Sequence, residues 1–346
     1  MAQVRQLMRT AVAGIVLFSS TTILAGAAYE GAAQPPRKTS GTLPRRAPDK
    51  PAAPPALECG DYLGFQVLLD KQGFSVGQID GKPGANFTHA LSAFQSARNL
   101  AGSGQTDCAT WKSLGGDNAG AATVSYTITE SDVKGPFVKT IPKSLPEQAN
   151  LPALGYTSVA EKLAEKFHTS PAMLQQLNPG VRYTTNSAIK VPAVTPFDVD
   201  APKPAADPAA ADVTVKVSRV ESAVRVTRAD GTLVFFAPVT TGSEHDPLPA
   251  GDWKVTGVNW HPAFHYNPDL FWDAKAGDTR ATIKPGPNNP VGIVWIDVNI
   301  EHYGMHGTPE PGKVGHAESH GCVRLTNWDA ARLAALVKTG TPVLFR

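Results

Sequence analysis

The chain has 346 residues, enough for two or three domains. Its 32 Lys+Arg against 30 Asp+Glu leave a formal charge of +2, which excludes a global electrostatic drive toward nucleic acid. Its 30 prolines and 31 glycines fall in clusters, so the composition points to ordered modules joined by stiff linkers rather than to disorder throughout.

At the N-terminus, Arg5 and Arg9 precede the apolar run "AVAGIVLFSSTTIL" and the small residues Ala25, Gly26 and Ala27. A basic region, a short apolar region and small residues make a signal peptide the expectation for residues 1–27, with an exported mature protein. The alternative is a retained membrane anchor. The run is broken by Ser19, Ser20, Thr21 and Thr22, so it falls short of the ~20 apolar residues a span needs. Residues 28–56 mix proline, alanine and basic side chains with almost nothing to bury, the composition of an extended linker.

Residues 57–116 change character. Leu63, Val67 and Leu68, then Ala90, Leu91 and Phe94, recur at helical spacing around a turn-rich stretch, and "TDCATWKSL" suits a short third helix. Gly77-Gln78-Ile79-Asp80-Gly81, Gly84, Thr88, Ala90-Leu91 and Phe94-Gln95 together resemble the small three-helix peptidoglycan-binding domain. The resemblance implies wall binding; a helical bundle that has lost its ligand is the competing reading. Cys59 and Cys108 bracket this module. Its small core would gain from a disulfide tying the ends, by about 4 kcal/mol at most on loop entropy. Pairing them would leave Cys322 as the one free thiol of three cysteines.

Residues 123–193 read as strand, helix, helix, strand. "VSYTIT" alternates like a strand, Ser158-Val159-Ala160-Glu161 is a capping-box sequence, and Ser170-Pro171 opens a second helix that stops at Asn178-Pro179. "AIKVP" closes the module. This βααβ order resembles LysM, which implies binding to N-acetylglucosamine polymers. A Pro-rich insertion of roughly two dozen residues departs from that pattern, where a short loop is the norm. Residues 194–212 read as a second linker.

The remainder, 213–346, is mainly β: alternating runs, an Asp230-Gly231 hairpin signal, and further β segments at 248–261, 290–300 and 340–346. One clear helix, with Leu333, Leu336 and Val337 on one face, follows Cys322 directly. Four histidines, His302, His306, His316 and His320, lie near that cysteine. Three readings compete on residues alone. A thiol with a histidine base could perform acyl transfer. His302, His306, His320 and Cys322 are ligand-type residues for a metal, though the turn formers of "HYGMHGTPEP" give no shared helix face. A buried structural thiol is the third. Glycine before the cysteine favours the first, since it permits a tight turn and close substrate approach.

"MHGT", a spacer and "SHGCVRLTN" resemble the signature of L,D-transpeptidase catalytic domains of the YkuD or ErfK/YbiS type. Upstream, "TTGSEHDPLPAGDWKV" is similar to that family's paired strands, with Leu248-Pro249-Ala250-Gly251 in place of its usual Thr-Pro-x-Gly. The resemblance implies a multidomain enzyme of cell-wall biogenesis and cell shape, with a mainly-β catalytic domain (a sandwich or mixed sheet with one helix after the cysteine). It implies Cys322 as nucleophile and His306 as base, with the carbonyl of Gly307 orienting the imidazole. Gly321 would supply an oxyanion N–H, and Arg324 would clamp a substrate carboxylate. Ser319 and His320 would shape the site, and Trp260, Tyr266 and Trp272 would belong to an aromatic substrate wall. Without the resemblance, His320 is as good a base candidate as His306. No metal or organic cofactor is implied. The expected partner is peptidoglycan, with a wall-anchored or outer-membrane protein as a candidate acceptor, in the periplasm or cell wall of a bacterium. Competing functions are a catalytically inactive wall-binding protein and a carboxypeptidase or amidase that passes the acyl group to water.

Overall fold

The computed structural model describes residues 56–201, 203, 212–317 and 319–346. The expected signal peptide, all but the last residue of the first linker, and most of 202–211 lie outside the described residues.

Three helices form the first module: α1 (Tyr62–Lys71), α2 (Ala85–Ala97) and α3 (Cys108–Ser113). Asp61 and Asp107 start α1 and α3 by accepting from the backbone N–H groups of Gly64 and Thr110, both at 2.6 Å. Phe65, Leu69, Leu91 and Phe94 fill the space between them. The amide oxygen of buried Gln66 accepts from the backbone of Asp80 (3.0 Å) and Gly81 (2.8 Å), which ties the Gly-x-Ile-Asp-Gly turn to α1. Cys59 and Cys108 are joined by a disulfide, and Cys322 is free.

The second module has β1 (Thr123–Thr127), two short helices α4 (Glu130–Val133) and α5 (Leu145–Gln148), then α6 (Val159–Lys166), α7 (Pro171–Leu177) and β2 (Ala188–Pro192). β1 and β2 pair antiparallel from Thr123↔Pro192 to Thr127↔Ala188. Ser158 caps α6 by accepting from Glu161 N–H at 3.1 Å, but the Glu161 carboxylate reaches back to the N–H of Thr157 (2.6 Å), one residue earlier than a capping box requires.

The third module contributes β3 (Val213–Ser218), β4 (Ala223–Arg228), β5 (Leu233–Pro238), β6 (Gly251–Trp260), β7 (Phe264–Tyr266), β8 (Ala281–Ile283), β9 (Val294–Val298), β10 (Gly304–His306), β11 (Val323–Arg324), α8 (Asn327–Leu336) and β12 (Pro342–Phe345). Eight strands form one sheet in the order β11-β10-β9-β6-β12-β3-β4-β5, while β7 and β8 form a separate hairpin. β10–β11 and β12–β3 run parallel and the other neighbours antiparallel. The chain leaving β5 bonds back to β11: Thr240 and Arg324 exchange backbone hydrogen bonds at 2.9 and 3.0 Å, so the sheet curls its two ends toward each other.

Linkers between separate cores are not what the structure shows. Phe65, Phe94, Leu163, Phe167 and Ile189 of the two small modules share one apolar cluster with Ala223 and Phe236 of the sheet. The turn after α1 adds to the β5 edge, with Ser75 N–H donating to Phe236 (2.8 Å) and Phe236 N–H to Gly73 (2.8 Å). Gly73 has φ +84°, and a Cβ there would meet the Val234 carbonyl at 2.9 Å, so the close approach requires glycine. The first part of the expected second linker is packed as well: Val194 and Val199 are buried, and Phe197 N–H donates to Lys166 (2.8 Å). The physical reason is surface area. Domains this small bury more apolar surface by sharing a core than by standing apart.

Polar groups complete that seam. Buried Asp70 of α1 pairs with His168 Nδ1 (3.1 Å) and with the Arg332 guanidinium of α8 (2.9 Å), and Ser75 donates to Asp329 of α8 (2.7 Å). Burial alone would raise the Asp70 carboxyl, but His168 and Arg332 outweigh it and hold it at about 2.

Candidate active site

The site grows from two short parallel strands. In the β10–β11 register His306 lies opposite Arg324 and Met305 opposite Val323. Side chains alternate along a strand, so Arg324 and Cys322 project to the same side as His306. Val323 and Met305 point the other way and are fully buried in the sheet core. Two residues after β11, Thr326 caps α8 by accepting from Asp329 N–H at 3.2 Å, which turns the chain away from the cleft.

His306 is buried beneath Trp295, its neighbour on β9, with the rings stacked at 5.2 Å. Its Nδ1 lies 2.6 Å from the Gly307 carbonyl. A carbonyl can only accept, so Nδ1 carries the proton and Nε2 keeps its lone pair. Burial, then the neighbouring Arg324 charge, pushes the imidazole down to about 3, against the Gly307 hydrogen bond. Burial raises the Cys322 thiol above its ordinary value, while the Gly304 backbone N–H and Arg324 pull the other way. Burial thus disfavours the charged form of each of these two groups. The thiol donates to the His302 carbonyl at 3.6 Å. The His302 side chain is exposed and paired with Glu301, and both residues line the cleft.

The flanking residues have separate tasks. Ser319 Oγ donates to the Cys322 carbonyl (2.6 Å) and fixes the turn that presents the thiol. Gly321 sits at φ +96°, packed against the Tyr303 ring where a Cβ has no room. Among the described residues nothing accepts from its N–H. His320 is not poised as a base: its Nε2 pairs with Asp273 at 2.8 Å, and its ring packs on Phe271 and Trp272. No carboxylate among the described residues pairs with the Arg324 guanidinium, although the cleft keeps Glu310 and Asp273 within electrostatic reach. Nor do three or more His, Cys, Asp or Glu side chains there come together as a metal-ligand set.

Cys322, His306, Arg324, His320, Trp260 and Tyr266 all line one cleft of about 1410 Å³. Tyr266 shows it little, being buried with its hydroxyl committed to Asp278 (2.8 Å). Trp272 stands outside the cleft lining, 59% exposed and stacked on His245 at 4.5 Å. Three further residues contribute, and two of them, Trp295 and Tyr303, carry no sequence signature. Trp295 covers the imidazole, and Tyr303 packs on Gly321. Asn327 lies beneath Gly307, accepts from Ile293 N–H (3.2 Å) and donates to buried Glu165 of α6 (2.9 Å). The asparagine directly after "RLT" was the one visible hint of the third.

A thiol, a buried imidazole of fixed tautomer and an open guanidinium on adjacent strands define a cysteine acyl-transfer site. Residues 212–344 match the family model of the YkuD L,D-transpeptidase catalytic domain, and residues 64–114 match a model described as a peptidoglycan binding domain. The chain carries a YkuD-type L,D-transpeptidase catalytic domain joined to a helical domain of the peptidoglycan-binding type. A Bacillus licheniformis protein assigned to the L,D-transpeptidases under the name YkuD is 26% identical over 186 residues, which are 53% of this chain and 90% of that one. The Bacillus subtilis protein of the same name is 44% identical over 57 residues, 16% of this chain and 35% of that one. YbiS of Escherichia coli K12 is 34% identical over 92 residues, 27% of this chain and 29% of that one. The chain thus spans less than two thirds of these last two relatives. Among solved structures, an L,D-transpeptidase from Mycobacterium smegmatis overlaps 48% of this chain and 76% of its own, at 16% identity and TM-score 0.33. An Enterococcus faecium L,D-transpeptidase mutant overlaps 39% and 50%, at 18% identity and TM-score 0.31.

Proposed function

We propose that this protein is an exported L,D-transpeptidase that remodels peptidoglycan through a thioester on Cys322. The observation that carries the reading is the Nδ1–Gly307 hydrogen bond, which leaves His306 Nε2 as a free base on the strand beside the thiol. Burial disfavours the charged form of both groups, so thiol deprotonation accompanies attack. Cys322 Sγ bonds to the carbonyl carbon of the L-centre–D-Ala bond of a donor stem peptide, and His306 Nε2 takes the thiol proton. Gly321 N–H serves the oxyanion. The C–N bond then breaks, and D-Ala leaves as an amine with the proton returned by His306. An acceptor amine attacks the thioester, loses a proton to His306, and Sγ departs to regain it. Arg324 suits a substrate carboxylate, since no described carboxylate pairs with its fork.

The Cys59–Cys108 disulfide supports export to an oxidising compartment, where Cys322 stays reduced by having no partner. The βααβ module is read as LysM-like in architecture. The acceptor is a stem-peptide amine or a lysine of a wall-anchored protein. Intact-mass analysis after exposure to a carbapenem tests the chemistry: we expect one adduct on the wild-type chain and none on Cys322→Ala. Muropeptide profiles of a Cys322→Ala strain test the substrate. Unchanged 3–3 dimers and unchanged protein-linked muropeptides would overturn the transpeptidase reading, and release of tripeptide with or without an amine acceptor would favour transfer to water.

A further inference from the structure

Asp297 is a carboxylate in the wall of the cleft that the catalytic reading leaves without a use. It stands two residues after Trp295 on β9, so both side chains leave the same face of the strand. The register sets Trp295 opposite His306 and Asp297 opposite Gly304 on β10. Gly304 leaves room for the indole: a Cβ there would meet the Trp295 ring at 2.5 Å. Lying against Gly304, the indole donates its Nε1–H to Asp297 Oδ1, while its ring stacks on His306 with 16° between the planes. From β6, Asn259 Nδ2 donates to Asp297 Oδ2 at 2.9 Å and fixes the carboxylate from its other side.

Trp295 is only half-buried, so packing alone leaves it other rotamers. The bond to Asp297 selects the one that covers the imidazole. Burial is the largest cause that holds His306 down, ahead of the Arg324 charge. Other titratable groups on the surrounding elements are Cys322 beside β11, Glu310 paired with Lys313, and Asp329 and Arg332 of α8, which bond to Ser75 and Asp70.

We propose that Asp297 is a positioning residue of the acyl-transfer site, acting through Trp295: its carboxylate holds the indole on the His306 ring and so keeps water off the base. Its consequence for the reaction rests on the proposed function, in which the shielded imidazole takes the thiol proton.

The test follows the His306 ring by NMR in the full chain with isotope-labelled histidine, using His306→Gln to identify its signal. In the parent, whose imidazole lies at about 3, the ring should stay unprotonated to the acid edge of folding. Trp295→Ala should raise the midpoint by about one pH unit or more, the scale on which burial shifts such a group. Asp297→Ala should raise it in the same direction by less. Loss of a nearby negative charge would by itself lower the midpoint, so a rise reports the displaced indole. Asp297→Asn keeps an oxygen to accept the indole N–H and should stay near the parent. An unchanged midpoint in Asp297→Ala overturns the proposal, as does an Asp297→Asn shift as large as that of Asp297→Ala. Should Trp295→Ala fail to fold, the two Asp297 variants decide alone. A merely structural carboxylate would lower the melting temperature without raising the midpoint. The NMR reading needs no turnover, which keeps the two failures apart. A wild-type chain without the carbapenem adduct loses the transpeptidase reading, whereas an unmoved His306 midpoint removes only the role of Asp297.

Discussion

The two ends of the central sheet are built for opposite purposes. At the β10–β11 end, a few residues close in sequence place a thiol, an imidazole and a guanidinium on one face, beside an open cleft. At the β5 end, Asp70, Ser75, His168, Asp329 and Arg332 arrive from three modules and are spent on one another in the dry seam. One end turns its polar groups toward an open cleft; the other buries them against one another, with only His168 Nε2 and Asp329 Oδ1 of these five residues left without a partner among the described residues. Chemistry needs the first arrangement and cohesion needs the second, which is why a change at one end should leave the other's property nearly intact.

The largest expected effect is at the catalytic end. His306→Gln removes the base while the sheet around it is retained, so the transfer rate should fall by about 10²–10⁴-fold with little change in melting temperature. A comparable collapse in stability would dissolve the contrast between the two ends. Next is the seam. Asp70→Ala strips the partner from both His168 and Arg332, and the unfolding free energy should drop by about 3–5 kcal/mol in a denaturant titration. If the drop is within error, the three modules are not held together by this group.

The smallest effect joins the two ends. Glu165 of α6 supports Asn327, which lies under the Gly307 that orients His306. Burial pushes its carboxyl up to about 8, against hydrogen bonds from Asn327 and Tyr156. A carboxyl raised in the folded state contributes stability fully present below its unfolded value near 4.5 and lost as pH rises through about 8, at up to about 1.4 kcal/mol per pH unit. Asp70, held at about 2, has the opposite sense: its contribution is present above pH ~4 and lost as pH falls toward 2. Glu165→Gln should therefore flatten the fall in melting temperature between pH ~4.5 and ~8 and leave the more acid side as it was. An unchanged slope in that window would assign it to other groups.

Much of the catalytic end was legible in the sequence because its parts are local. "SHGCVRLTN" holds the free thiol, its glycine and the guanidinium, and "MHGT" holds the imidazole and the glycine whose carbonyl fixes it. The helical module was legible for the same reason, through Gly77–Gly81 and the apolar spacing of α2. Hydrogen bonding within a turn and periodicity within a helix are short-range, so a linear string records them. The aromatic wall was legible only in part: Trp260 lines the cleft, but Trp272, equally prominent in the sequence, stacks on His245 outside its lining.

What tertiary structure alone decided is everything that depends on which surfaces meet. No spacing rule places Phe74 on the edge of β5, joins Glu165 to Asn327 across 162 positions, or Asp70 to Arg332 across 262. The same holds for the insertion. Its proline-rich sequence announced only an oversized loop, and its place in the cleft lining followed from packing on β8. The sequence by itself determined the chemistry, because the reacting groups are close along the chain. The packing determined their setting, because burial and shared cores are properties of surfaces that only the folded chain brings together.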